Sequence, residues 1–387
     1  MNRTLLLIIC YGGMISVAIC LNLMPVHYTT FSHEFGGLNE EQLGRISALV
    51  FAGVVVGVLL SGPLADRFGA ALFTFLGLII SSLGILLISL AKNYELLLAA
   101  SITAGFGAGI LDMLMSPIVS AVCVDRRASA LNHLHAFYCI GALATVLFAS
   151  ACMHLGISWR ILAGAAALVP LALTVLIFLT GFPPLVHPER SRDSILHLVL
   201  KPRFIFALLI IWLIGATENG IIQWLPAFSE RGLGFDKSMG GIAVGLFSLF
   251  MAGGRLAAPQ ILRRLGAYGV LFAGTFFCIV CYLAGTLIPA PGIALSFCIF
   301  AGLACSFLWP TWLGITADIF PHGGASMFAL LAALGNFGGL VLPWAIGGIA
   351  EYSSIRSGLL AGSLAPVALI IFALITLYQD RHNPSSL

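Results

Sequence analysis

Residues 70–91 read AALFTFLGLIISSLGILLISLA, twenty-two positions without one charged side chain. A helix rises about 1.5 Å per residue, so this run is long enough to cross the roughly 30 Å hydrocarbon core of a bilayer. It does not alternate polar and apolar positions, as a barrel strand would. Lipid offers backbone amides no partner, so the run has to pair its own N–H and C=O groups as a helix.

The rest of the chain repeats this pattern. Of its 387 residues, 60% are hydrophobic and only 9% are charged, and the mean hydropathy is +1.07. A soluble domain carries roughly 25% charged residues. The apolar runs predict about twelve spans, near 4–28, 43–64, 70–91, 95–123, 130–153, 159–181, 204–227, 238–259, 268–288, 293–319, 325–348 and 357–378. The first is too long for a cleavable signal segment and is read as retained. The fold class expected is an all-α membrane protein of twelve transmembrane helices.

Charge placement predicts the orientation. With the N-terminus inside, twelve of the 18 basic residues fall on the inner side and six on the outer. The bias of Lys and Arg toward the cytoplasm then puts both termini there, in a bacterial inner membrane. On this count Arg255, Arg263 and Arg264 mark the cytoplasmic edge and no cation lies at mid-membrane. Organic phosphates and dianions, which need paired cationic contacts, are therefore disfavoured as solutes. All nine cysteines lie in predicted spans. Cys278 and Cys281 form a C-x-x-C with no flanking His or acid, and read as small buried hydrophobes. No metal, cofactor or disulfide is expected. No basic stripe suggests nucleic acid. No nucleophile–base–acid set or phosphate loop suggests an enzyme.

The chain divides into residues 1–181, a cytoplasmic linker 182–203 holding Pro183, Pro184, His187, Pro188, Glu189, Arg190, Arg192 and Asp193, and residues 204–387. Echoes suggest that the two halves are duplicates. Leu49, Phe51, Ala52 and Gly53 return as Leu249, Met251, Ala252 and Gly253. Pro25 returns as Pro226, and Arg67-Phe68-Gly69-Ala70 as Arg264-Leu265-Gly266-Ala267. Two six-helix bundles with a shared polar cavity are one known transporter plan.

Ionisable and polar groups at membrane depth are costly, and function is their default reading. Asp112 lies deep in the fourth span with no basic residue a helical turn away, which suits a group that takes up and releases protons. The plainer reading is a carboxylic acid bonded to a neighbouring helix. Glu218, Asn219, Gln223 and Trp224 form a wide polar strip in the seventh span, where Gly215, Gly220 and Pro226 weaken the helix. That strip lines a site or glues helices together. Asn132 and His135 share a face of the fifth span. Trp309 and Trp312, with Asn336, add possible walls, although Trp is also common at membrane interfaces.

Between the second and third spans the chain reads Gly62-Pro63-Leu64-Ala65-Asp66-Arg67-Phe68-Gly69. This resembles the signature loop of the major facilitator superfamily, although Ala70 and Ala71 replace its usual basic pair. The resemblance implies that Asp66, with Arg67, latches an inner gate against the start of the eleventh span near Gly323, where a helix N-terminus favours an anion. The stretch Leu131-Asn132-His133-Leu134-His135-Ala136-Phe137, followed by Gly141-Ala142, resembles a motif of fucose and glucose/galactose permease-like members. Asp112 and the Glu218-Asn219…Trp224 patch fit the same group. Ser116, where an Asn is expected, and Cys139, where a Gly is expected, depart from it.

The function expected is proton-coupled symport of a small neutral polar solute, a sugar foremost, by alternating access of a monomer in the lipid bilayer. Asp112 or Glu218 would carry the proton. Asn132, His135, Glu218, Asn219, Gln223, Trp224, Trp309, Trp312 and Asn336 would hold the solute. A proton-driven drug or metabolite antiporter is the alternative, weakened by Ser101 where that group carries Arg and by the missing Gly-Pro stretch after Gly141. A membrane enzyme or non-transporting sensor is a distant third.

Overall fold

The computed structural model describes residues 2–38, 40–185 and 195–382. Residues 186–194, the middle of the expected linker 182–203, lie outside the described residues. Every regular element among the described residues is helical. The spans are α1 (Arg3–Asn22), α2 (Glu40–Phe68), α3 (Ala70–Leu90), α4 (Tyr94–Val122) and α5 (Arg127–His154). They continue with α6 (Trp159–Ile177, interrupted at Ala167) and α7 (Pro202–Ile222). Then come α8 (237–265), α9 (267–287), α10 (Pro291–Ile319, broken at Ser306 and Phe307), α11 (Gly324–Tyr352) and α12 (Ile355–Gln379).

Eleven helical segments among the described residues are long and apolar enough to cross a membrane. One of them, Met239–Leu287, has 49 residues, which at about 1.5 Å each is more than twice the bilayer core. Gly266 breaks it, at φ 70° and ψ 170°, and so separates α8 from α9. Twelve spans result, as the hydropathy predicts. Gly69, the residue that Gly266 echoes in sequence, takes the same left-handed φ, 95°, between α2 and α3. Only glycine adopts that conformation without strain, so both hairpins turn on the same device. Elsewhere side chains fix the starts. The Asn93 side chain accepts from the Leu96 amide at 2.9 Å and opens α4, as Asn2 does from Leu5 at 3.1 Å for α1.

Two compact units emerge. The first comprises Met1–Val124, Phe137–Arg192 and Gly324–Ala329; the second comprises Asp125–Ala136, Asp193–Gly323 and Leu330–Leu387. The first turns of α5 thus pack with the second unit, and the first turns of α11 with the first.

Helices in lipid gain no hydrophobic drive from meeting each other, so close backbone approach has to hold them. In the first unit Gly53 and Gly57 of α2 interlock with Gly105 and Gly109 of α4. A Cβ at any of the four would collide with the backbone of the facing helix. Gly107 sits against the Ser81 backbone of α3, and Gly84 of α3 against Ala104. In the second unit Gly302 of α10 lies on the Phe247 carbonyl of α8. Gly215 of α7 lies on the Gly335 carbonyl of α11, and Gly338 on that of Trp212. In the first unit, spacing of four residues puts each glycine pair on one helical face.

Candidate functional site

Asp66 stands one turn after Gly62 on α2. A Cβ at Gly62 would reach 2.6 Å from Ala329 Cβ, so the missing side chain lets α11 come close. The Asp66 carboxylate then accepts from the Ala325 amide at 2.8 Å and the Ser326 amide at 2.9 Å. The Ser326 hydroxyl donates to it at 2.5 Å. The first amides of a helix have no intrahelical partner, and the helix dipole favours an anion there. Asp66 thus caps α11 at the place the loop motif implies. Arg67 is exposed, with its guanidinium 5.2 Å from the Phe68 ring centre, and takes no part in that cap.

At the start of α5 a second polar contact joins α10. Arg127 donates to Asp318 Oδ1 at 2.6 Å and to the Ala317 carbonyl at 3.2 Å. Gly314 beside it has no room for a Cβ, because the Ala128 backbone is 2.7 Å from where that atom would lie. Further along α5, Asn132 is fully buried and donates to Thr311 Oγ1 at 3.1 Å and to the Ala128 carbonyl at 2.8 Å. Its Oδ1 has no partner among the described residues.

The centre of the second unit is Arg255, a residue the sequence reading misplaces. It is not at a membrane edge. It lies eleven residues before the turn at Gly266, about 16 Å along α8, and is 5% exposed. Its Nε donates to the Ser306 carbonyl at 3.2 Å. That carbonyl is free because residue 310, whose N–H would have bonded it, is proline. Another guanidinium nitrogen donates to the His135 carbonyl at 3.4 Å. The remaining terminal nitrogen faces Glu218 Oε2 at 3.8 Å, an ion pair longer than a hydrogen bond. Arg255 therefore brings the fifth-span and seventh-span residues His135 and Glu218 together around one cation. The distance to Gly266 was the sequence signal that could have found it.

The other seventh-span residues serve α11. The Asn219 amide donates to the Gly215 carbonyl at 3.0 Å, and its side chain fills the space beside Gly339. Pro343 lacks an N–H, so the Gly339 carbonyl is left without its helical donor, and the Gln223 amide supplies one at 3.4 Å. Trp224 Nε1 donates to the Pro343 carbonyl at 2.9 Å, and its ring edge fills the space beside Gly347. Trp309 is partly buried, with its ring against Gly335. Trp312 is wholly buried and donates to the Ala207 carbonyl at 3.0 Å. Asn336 is exposed.

Asp112 belongs to the first unit. From Gly107 to Ser120 every residue of α4 is buried except Asp112, which keeps part of its surface open. It has no hydrogen bond or ion pair among the described residues. No group of three or more His, Cys, Asp or Glu side chains among the described residues is placed to hold a metal.

Comparison with known proteins sets this geometry in context. The family model described as Major Facilitator Superfamily matches residues 4–300. An uncharacterized MFS-type transporter of Yersinia pestis is 22% identical over 322 residues, covering 82% of each chain. A 4-hydroxybenzoate transporter of Pseudomonas aeruginosa is 26% identical over 314 residues, covering 80% of this chain and 58% of that protein. Among solved structures, a variant of the E. coli fucose:proton symporter FucP superposes with a TM-score of 0.83 at 17% identity, covering 97% of this chain and 99% of that one. The proton:xylose symporter XylE gives 0.82 at 14% identity, covering 96% and 95%. At those identities the structural likeness speaks for the fold alone.

Proposed function

From the premise that this chain belongs to the Major Facilitator Superfamily, we propose that it is a secondary transporter coupling the movement of a small polar solute to protons by alternating access. The observation that carries this reading is a pair of carboxylates at membrane depth that keep open surface. Asp112 is the single open position in a buried stretch of α4, and the Glu218 side chain is 21% exposed beside a buried cation. An ionisable group within a span is expensive and seldom retained without a role. A carboxylate that reaches water and also a low-polarity surround is able to exchange a proton between the two. Asp112 and Glu218 are assigned to proton uptake. Asn132, His135, Asn219, Gln223, Trp224, Trp309, Trp312 and Asn336 are the candidate solute contacts, with Gln223, Trp224 and Trp312 already committed to backbone carbonyls. Asp66 is assigned to gating, through its cap on α11. Both termini are assigned to the cytoplasm on the charge bias.

Two lines bear on the solute. The sugar expectation draws support from neighbours named as fucose and xylose symporters with protons. A curated relative named for 4-hydroxybenzoate points to an organic acid. Relatives named for multidrug resistance, one of Shewanella oneidensis and one of Lactococcus lactis, keep drug antiport as the alternative; against it, Ser101, where that group carries Arg, is fully buried with its hydroxyl on the Leu97 carbonyl at 2.7 Å.

The test is proton movement. Purified protein in vesicles with a trapped pH dye is challenged with L-fucose, D-xylose and 4-hydroxybenzoate. At least one solute is expected to carry protons inward with it, and a protonophore to abolish its accumulation. Uptake without proton movement, or no uptake of any of the three, contradicts the proposal.

A further inference from the structure

We propose that Arg255 is the anchor for the carboxylate of a small organic monoacid, and that Glu218 gives up its place on the guanidinium to that carboxylate by taking a proton. The inference rests on the proton-coupled transport reading and names its solute class.

Arg255 is the one Lys or Arg that is buried among the described residues. Two of its partners, the Ser306 and His135 carbonyls, are neutral. They fix the guanidinium plane from α10 and α5 without cancelling its charge. Cancellation falls to Glu218, which approaches only to 3.8 Å and makes no hydrogen bond among the described residues. A carboxylate built as a permanent partner of Arg closes to about 2.7–2.9 Å, usually through two parallel bonds. The pair is also open on one side. The Glu218 side chain is 21% exposed and that of Arg255 6%, so an arriving solute meets Glu218 first.

Charge arithmetic then selects the solute. With Glu218 ionised, the pair is neutral. If Glu218 takes a proton while a neutral sugar binds, the buried charge of Arg255 loses the carboxylate that balances it, and such a break is strongly unfavourable. If a monocarboxylate binds as Glu218 is protonated, the site is neutral again. The step moves one proton from water to the Glu218 carboxylate and forms or breaks no bond in the solute. A dianion would bring a second negative charge with no second buried cation to meet it. Among the described residues, the other titratable groups facing the pair are His135 of α5 and Cys305 of α10. Cys305 in turn faces Cys278 and Tyr282 of α9. One proton and one monoanion crossing together make an electroneutral cycle.

The experiment uses two matched pairs of probes, nicotinate with nicotinamide and benzoate with benzamide, on the full-length purified protein. Binding is read by thermal shift and tryptophan fluorescence between pH 8 and pH 6. The acids are expected to stabilise the protein and the amides not. Wild-type affinity for an acid is expected to rise by up to about tenfold per pH unit as pH falls, as for one linked proton. In Glu218→Gln, which imitates the protonated side chain, that pH dependence is expected to vanish, with affinity at pH 8 matching wild type at pH 6. In vesicles, acid uptake is expected to ignore an imposed potassium diffusion potential. Amides binding as well as acids, acid binding that ignores pH in the wild type, or no response to either acid overturns the proposal. If a sugar stabilises the protein and still moves protons, this inference falls while the transport reading stands. If no solute moves protons, both fall.

Discussion

Asp112 and Glu218 are two mid-membrane carboxylates in contrasting company. Asp112 stands in the first unit, in a buried stretch of α4, with no ion pair among the described residues. Glu218 stands in the second unit opposite Arg255, whose guanidinium also holds two backbone carbonyls. The difference teaches that depth alone does not define a carboxylate's role. A lone acid has no buried cation to leave unbalanced, so making it an amide costs the frame little. An acid that neutralises a buried cation is part of the frame, and its proton is tied to whatever else can neutralise that cation.

Stability separates the two most sharply. Arg255→Gln leaves Glu218 without its cation and the Ser306 and His135 carbonyls with a weaker donor. It is expected to cost about 3 kcal/mol or more, read as a fall in melting temperature. Asp112→Asn is expected to change stability by less than about 1 kcal/mol. Equal losses in the two variants would erase the contrast between the units.

Transport is expected to depend on Asp112 even where stability does not. Asp112→Asn is expected to reduce proton-driven accumulation at least tenfold while solute exchange across equilibrated vesicles survives. Accumulation at the wild-type level in that variant would remove Asp112 from the proton path and leave Glu218 alone in it.

A smaller effect marks the boundary of the comparison. Trp224 and Gln223 belong to the same polar strip as Glu218, yet both donate to α11 carbonyls around Pro343. Trp224→Phe keeps an aromatic ring and removes the hydrogen bond, so it is expected to cost about 1 kcal/mol of stability with solute affinity unchanged. A clear loss of affinity in equilibrium binding would show that the indole N–H of Trp224, and not its ring alone, serves the solute.

Much of this could be seen along the chain. Hydropathy places the twelve spans, because twenty apolar residues in a row have one stable solution in lipid. The loop Gly62–Gly69 even points to its distant partner, since its glycine permits approach and its aspartate suits a helix start. Arg255 was misplaced for a related reason. Counting charge by loops treats a cation near a span's end as a topological marker, and nothing local to α8 reveals that three other helices supply it with acceptors.

The amino-acid sequence alone determined that this chain crosses the membrane many times and which few polar groups it carries there, because burial in lipid is a property of each segment by itself. Only the tertiary structure decided which of those groups meet. Whether a carbonyl freed by Pro310 or Pro343 finds a donor, and whether Glu218 faces a cation and Asp112 none, depends on how helices far apart in the chain are rotated and spaced. Glycine contacts set those rotations and spacings, and no single segment encodes them.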